Sequence, residues 1–100
     1  WQGRWHHGDK AMLVISRRPG EALLIGDDIT LVLSAVGNGN VTYEVLTDAG
    51  SSIVTREMLE PLHLGDRICV QALAVRGSWV RIGIDAPREV RIDREEKIEP

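Results

Sequence analysis

Residues 80–94 restrict this chain to pleated structure more than any other segment. Val80, Ile82 and Ile84 alternate with Arg81, Gly83 and Asp85. After the break at Ala86-Pro87-Arg88-Glu89, Val90 and Ile92 alternate with Arg91 and Asp93. A period of two sends successive side chains to opposite faces of a strand, whereas on a helix the same residues would scatter around the axis. The apolar members are β-branched, which suits a sheet surface. The chain has no Phe and one Tyr, so its core must come from Val, Ile and Leu.

The same reading runs along the chain from Met12. Leu13 to Arg18 is a short strand closed by the turn Pro19-Gly20, and Ala22 to Ile25 is a second, closed by Gly26-Asp27-Asp28. Ile29 to Val36 follows, then Gly37-Asn38-Gly39-Asn40, a hairpin turn whose residues tolerate positive φ. Val41 to Leu46, Ser52 to Arg56, Arg67 to Val75, Trp79 to Ile84 and Val90 to Arg94 continue the pattern. Glu57 to Leu64 is the one segment that can take a helical turn, and Pro61 limits it. The expected fold is all-β, a small barrel or sandwich of about nine strands. Residues 1–11 lack either period and read as a leader or disordered extension, leaving 12–100 as one domain.

Other features narrow the function. No apolar run approaches the roughly 20 residues that cross a bilayer, and none resembles a cleavable signal peptide. With a single cysteine, Cys69, there is no internal disulfide framework, and the reducing cytoplasm is the expected compartment. The pair His6-His7 lacks a third ligand at fixed spacing, and no metal or other cofactor is expected. Asp85 and Glu89 straddle a turn without a histidine or nucleophile beside them, and Cys69 lies among apolar neighbours, so catalysis is not expected. A net charge of −3 argues against a broad basic surface for nucleic acid. Any such binding must use a local cluster, and Arg76, Arg81, Arg88, Arg91 and Arg94 supply one.

The chain also repeats itself. Gly26-Asp27-Asp28-Ile29 aligns with Gly65-Asp66-Arg67-Ile68, and Val36 with Val75. Ser52-Ile53-Val54-Thr55-Arg56-Glu57 is paired in this reading with Val90-Arg91-Ile92-Asp93-Arg94-Glu95, after a one-residue slip assigned to a loop. The two copies are then 12–60 and 61–100, the second without a counterpart of residues 13–18.

Two blocks, Met12-Leu13-Val14-Ile15-Ser16-Arg17-Arg18-Pro19-Gly20-Glu21 and Val80 through Glu96 with its Ala86-Pro87-Arg88-Glu89-Val90 centre, resemble the CsrA/RsmA family of bacterial RNA-binding translational regulators. The resemblance covers nearly all of 12–98, strongly at 12–28 and 75–96. It implies a subunit that interlaces with a second into one barrel-like dimer, with the first strand of one lying beside the last strand of the other. This chain then resembles an intertwined dimer fused into a single chain, a monomer by preference, although a homodimer stays open. The implied partner is single-stranded RNA carrying GGA in a hairpin loop, in an mRNA leader or small regulatory RNA. The implied action is control of translation or stability, by repression at a covered ribosome-binding site.

Residue by residue, the resemblance carries the RNA contacts to Leu13, Ile15, Ser16, Arg17 and Arg18, and to Ala86, Pro87, Arg88, Val90, Ile92, Asp93 and Arg94. Leu13, Ile15 and Arg17 share one strand face, and Val90, Ile92 and Arg94 another. Side by side, these rows would form an apolar floor for a purine with a guanidinium at each end, able to bond guanine O6 and N7 or a phosphate. Single-stranded loops leave base edges free for such contacts. Asp93 departs from the histidine common in the family, and the family's C-terminal helix is cut short at Lys97-Ile98-Glu99-Pro100. Arg56 reads as a structural or vestigial counterpart of Arg94, and Trp79 as a residue packed over the barrel. The alternative to RNA binding is a degenerate scaffold serving as a protein-interaction module or antagonist.

Overall fold

A computed structural model of the chain describes residues 4–7 and 10–95, with side chains from Met12 onward. Ten strands follow one another: β1 (Arg4–His7), β2 (Lys10–Arg17), β3 (Ala22–Ile25), β4 (Ile29–Val36), β5 (Asn40–Thr47), β6 (Gly50–Glu57), β7 (Leu62–Leu64), β8 (Ile68–Arg76), β9 (Trp79–Pro87) and β10 (Ile92–Glu95). They form two five-stranded antiparallel sheets, one ordered β1-β2-β9-β8-β7 and the other β10-β3-β4-β5-β6. The sheets pack as a sandwich and do not close into a barrel. The described residues contain no helix, and Glu57 to Leu64, expected to allow a helical turn, instead forms a turn leading into β7. The sequence break expected at Met12 falls inside β2, and β1 pairs with it as an edge strand, Arg4 opposite Leu13 and His7 opposite Lys10. The shortened C-terminal helix lies outside the described residues.

Alternation fixes the core. Leu13 and Ile15 of β2, Val80, Ile82 and Ile84 of β9, and Val70 and Ala72 of β8 turn inward from one sheet. Leu23, Ile25, Leu31, Leu33, Val41, Tyr43 and Ile92 face them from the other. Each fully buried aliphatic side chain contributes about 1.5–3 kcal/mol of transfer free energy, and these contacts hold the two sheets together. Tyr43 is fully buried, and its hydroxyl has no hydrogen-bond partner among the described residues. Burial pushes its pKa up to about 12, against the opposing charge of Arg56.

The internal repeat is present, but its register differs from the sequence reading. β2 lies on β9 with Ile15 opposite Ile82 and Arg17 opposite Val80. β6 lies on β5 with Val54 opposite Tyr43 and Arg56 opposite Val41. Thus β6 takes on its sheet the place that β2 takes on the other, and β3, β4 and β5 correspond to β7, β8 and β9. The offset is constant: Arg17, Glu21, Leu23, Ile25 and Ile29 answer to Arg56, Glu60, Leu62, Leu64 and Ile68. Both long hairpins carry their register shift at matching places, between Leu33 and Ala35 and between Ala72 and Ala74. The turns match in detail. The Gly20 amide donates to Leu33, as the Leu59 amide donates to Ala72. Arg18 and Glu57 each donate a backbone N–H to the glutamate three residues on.

Arg56 is therefore the counterpart of Arg17, not of Arg94, and the second copy does possess its first strand. What has no counterpart among the described residues is a last strand of the first copy. Only Asp48-Ala49 separate β5 from β6, which turn back as a hairpin through Thr47 and Gly50. No residue slip is needed.

One consequence is local strain. Gly20 has φ 92°, and its counterpart Leu59 has φ 69°, the one non-glycine positive φ among the described residues. A Cβ in this region costs about 1–2 kcal/mol. Glycine's greater freedom in the unfolded chain offsets about 0.4–1 kcal/mol of that. Leu59→Gly is therefore expected to stabilise the protein by about 0.5–1 kcal/mol in urea denaturation. A destabilised variant would mean that contacts of this exposed leucine outweigh the strain.

Candidate nucleic-acid interface

β2 and β10, the strands on which the expected site rests, are not hydrogen-bonded neighbours. β2 pairs with β9 and β1, whereas β10 pairs with β3 of the opposite sheet, Ile92 opposite Ile25 and Arg94 opposite Leu23. They belong to different sheets, β10 at the edge of its own and β2 one strand in from the edge of the other, and they are linked at one end through β3. The link is Arg17, whose Nη1 donates to the Ala22 carbonyl at 3.3 Å. Ala22 is in turn paired with Glu95 of β10.

The expected apolar floor is not there. Leu13, Ile15 and Ile92 point between the sheets and are 1, 3 and 6% exposed. Alternation correctly groups these side chains, but the face they share is the core face, because burying it removes the most apolar area from water. Arg17 lies on that same face and is 5% exposed. Its Nε donates to the Ser16 carbonyl at 3.1 Å, and Glu21 lies 3.6 Å away. This guanidinium fastens the β2–β3 corner.

The remaining residues divide by exposure. Arg18, Arg88 and Arg94 are exposed, Ser16 and Val90 are half-buried, Ala86 and Pro87 are buried, and Asp93 is exposed. Arg18 is aimed by Glu21, whose carboxylate accepts from its backbone N–H and, at 3.0 and 3.3 Å, from its guanidinium. Partial burial pushes the Glu21 carboxyl upward, but the two Arg18 hydrogen bonds and the Arg17 and Arg18 charges outweigh it and leave its pKa lowered. The 87–91 turn is held by the Val90 amide on the Pro87 carbonyl at 3.0 Å and the Gly26 amide on the Arg91 carbonyl at 2.7 Å. Arg91 pairs with Asp93 at 2.7 Å, so the carboxylate that departs from the family pattern is engaged by the residue that leads into its own strand. The Glu89 pKa is lowered first by the glutamate's own backbone amide and then by Arg67, which pairs with it at 3.1 Å.

Trp79 is not packed over the core. It is 43% exposed on the outer face of the β2–β9 sheet, with the Arg18 guanidinium 4.7 Å from its ring centroid. Together with Ser16, Ala74, Val75, Arg76 and Arg81 it lines an open groove. Its position after the Gly77-Ser78 turn, followed by Arg81 at strand spacing, was the available sequence signal.

Among the described residues, no group of three or more His, Cys, Asp or Glu side chains is placed to hold a metal, and no helix is long and apolar enough to cross a membrane. The side chains of His6 and His7 lie outside the described residues.

No solved structure matches this chain. The profile of CsrA, the global regulator protein family, matches it twice in succession, over residues 12–49 and 52–99. The second match opens at Ser52 in β6, where the strand registers also begin the second copy. The chain therefore belongs to the CsrA family of RNA-binding post-transcriptional regulators, as a tandem of two adjacent family segments.

Proposed function

We propose that this chain binds GGA displayed in an RNA hairpin loop and regulates translation by covering a ribosome-binding site. The observation that carries this reading is the convergence of β2 from the first family segment with β10 from the second, at a corner bearing Arg17, Arg18 and Arg94, with Arg88 further along, just past the opposite end of β9. Exposed guanidiniums are suited to bidentate contacts with guanine or phosphate. In this reading Arg18, Arg88 and Arg94 touch RNA through their side chains, with Ser16 and Val90 beside them. Leu13, Ile15, Arg17, Ala86, Pro87 and Ile92 set the shape and backbone of the site from within. Asp93, tied to Arg91, keeps its charge partly neutralised near the phosphates.

One such corner per chain follows from the same arrangement. The reciprocal site would place β6 beside a last strand of the first segment, and the β5–β6 turn leaves no room for one. A monomer binding one RNA is the corresponding stoichiometry.

The test is fluorescence anisotropy with a GGA hairpin and an otherwise identical hairpin carrying CCU. Most of the affinity should vanish with the substitution. Equal binding to both RNAs would defeat the reading, and saturation at two RNAs per chain would defeat the stoichiometry.

A further inference from the structure

The groove on the outer face of the β2–β9 sheet has a composition that the scaffold does not require. Its aromatic residue, Trp79, opens β9 opposite Arg76, and Arg81 stands between Ser16 and Ala74 on the flanking strands. The repeat supplies an internal control. At the constant offset, Trp79 answers to Asn40, Arg81 to Thr42, Arg76 to Gly37 and Arg18 to Glu57. In that copy Thr42 and Thr55 simply hydrogen-bond across β5 and β6 at 3.0 Å. The same strand positions fold with no aromatic and no cation. An exposed indole amid three guanidiniums is thus not explained by packing.

Its geometry suits one kind of occupant. The Arg18 guanidinium lies over the ring at 4.7 Å and covers one face, and 43% of the residue stays exposed. A planar base can stack on the open surface of the indole, and Arg76 and Arg81 border the groove with charges matched to phosphates. The groove adjoins the proposed recognition corner through Arg18, which follows β2 and leans across onto Trp79. We infer that Trp79, Arg76 and Arg81 form a subsite for the single-stranded nucleotides flanking the recognised loop element, with one base stacked on the indole and the backbone held by the two arginines. This inference rests on the RNA-binding reading and extends it to a second region of the ligand.

The test compares three RNAs with the same GGA loop: one with blunt ends, one with single-stranded flanks, and one whose flanks are abasic but keep their phosphates. The full chain should bind the flanked hairpin about tenfold tighter than the blunt one, the scale of one stacked base. Trp79→Ala should lose that advantage and bind the blunt hairpin as before, whereas Trp79→Phe should keep most of it. Abasic flanks should make the parent and Trp79→Ala chains alike. Arg76→Ala should weaken both flanked RNAs and flatten their salt dependence. Tight binding of the blunt hairpin without any gain from flanks would overturn the subsite and leave the recognition corner standing. So would a Trp79→Ala loss of equal size on all three RNAs. Failure of the parent chain to bind any of the three would overturn the RNA reading itself.

Discussion

Leu13→Ala should cost about 2–5 kcal/mol of folding stability, a large share of what a domain of this size possesses. Leu13 is 1% exposed and stands opposite Ile84, itself fully buried in the centre of the sandwich. Truncation removes the transfer energy of the side chain and leaves a cavity, which neighbours pinned in two hydrogen-bonded sheets cannot collapse to fill. The first-strand position in the other copy is Ser52, which is exposed, so the penalty belongs to the environment and not to the strand. Urea denaturation gives the magnitude. RNA affinity measured on the folded fraction should change little, because the side chain points away from the interface. A large affinity loss in a variant of undiminished stability would restore the apolar floor and overturn the packing role.

Arg17→Ala is expected to destabilise the protein by about 2–3 kcal/mol, while Arg56→Ala costs well under 1 kcal/mol. The two arginines make matched bonds. Arg17 reaches the Ser16 and Ala22 carbonyls, and Arg56 reaches the Thr55 and Pro61 carbonyls. What differs is solvation. The bond from Arg17 to Ala22 is buried, so truncation strips a partner from a carbonyl that water cannot replace. Both bonds of Arg56 are exposed, and water substitutes for the lost donor. Arg17→Lys should recover little, since a single ammonium cannot serve two carbonyls in the fixed fork of a guanidinium. Equal losses for the two alanine variants would mean that burial does not govern this contact.

The strands and the class of fold were legible because period-two alternation is a local property, and the turn glycines marked most strand ends. Pairing was less legible. Val54-Thr55-Arg56-Glu57 follows the same apolar-polar-arginine-charged order as Ile15-Ser16-Arg17-Arg18 and as Ile92-Asp93-Arg94-Glu95. Nothing within those few residues distinguishes a first strand from a last one. The distinction comes from β5, which turns through Asp48-Ala49 directly into β6 and claims it as a neighbour. Alternation also names the residues that share a face without saying which face is inward. That ambiguity turned Leu13, Ile15 and Ile92 into an exposed floor, when the buried area of a two-sheet core decides the matter. The resemblance assigns Arg17 an RNA contact, and the same face ambiguity sets it at the end of that floor. Its burial depends on the carbonyls of a corner formed by another strand. β1 had no signal, since residues 1–11 show no alternation, and its pairing comes only from the free edge that β2 offers.

Within each sheet the strands differ in how far their partners must travel. β3, β4 and β5 each pair with the next strand in the chain, a meander that closes only short loops. β2 must find β9, with Leu13 opposite Ile84, and β10 must find β3, with Ile92 opposite Ile25. Closing such long loops is paid in entropy before any contact rewards it, so distant pairings form late. During synthesis the meander can be complete while β9 and β10 are still inside the ribosome. The corner bearing Arg17, Arg18 and Arg94 is then the last part of the molecule to take shape, and a nascent or prematurely ended chain would carry a folded sheet but no finished grip.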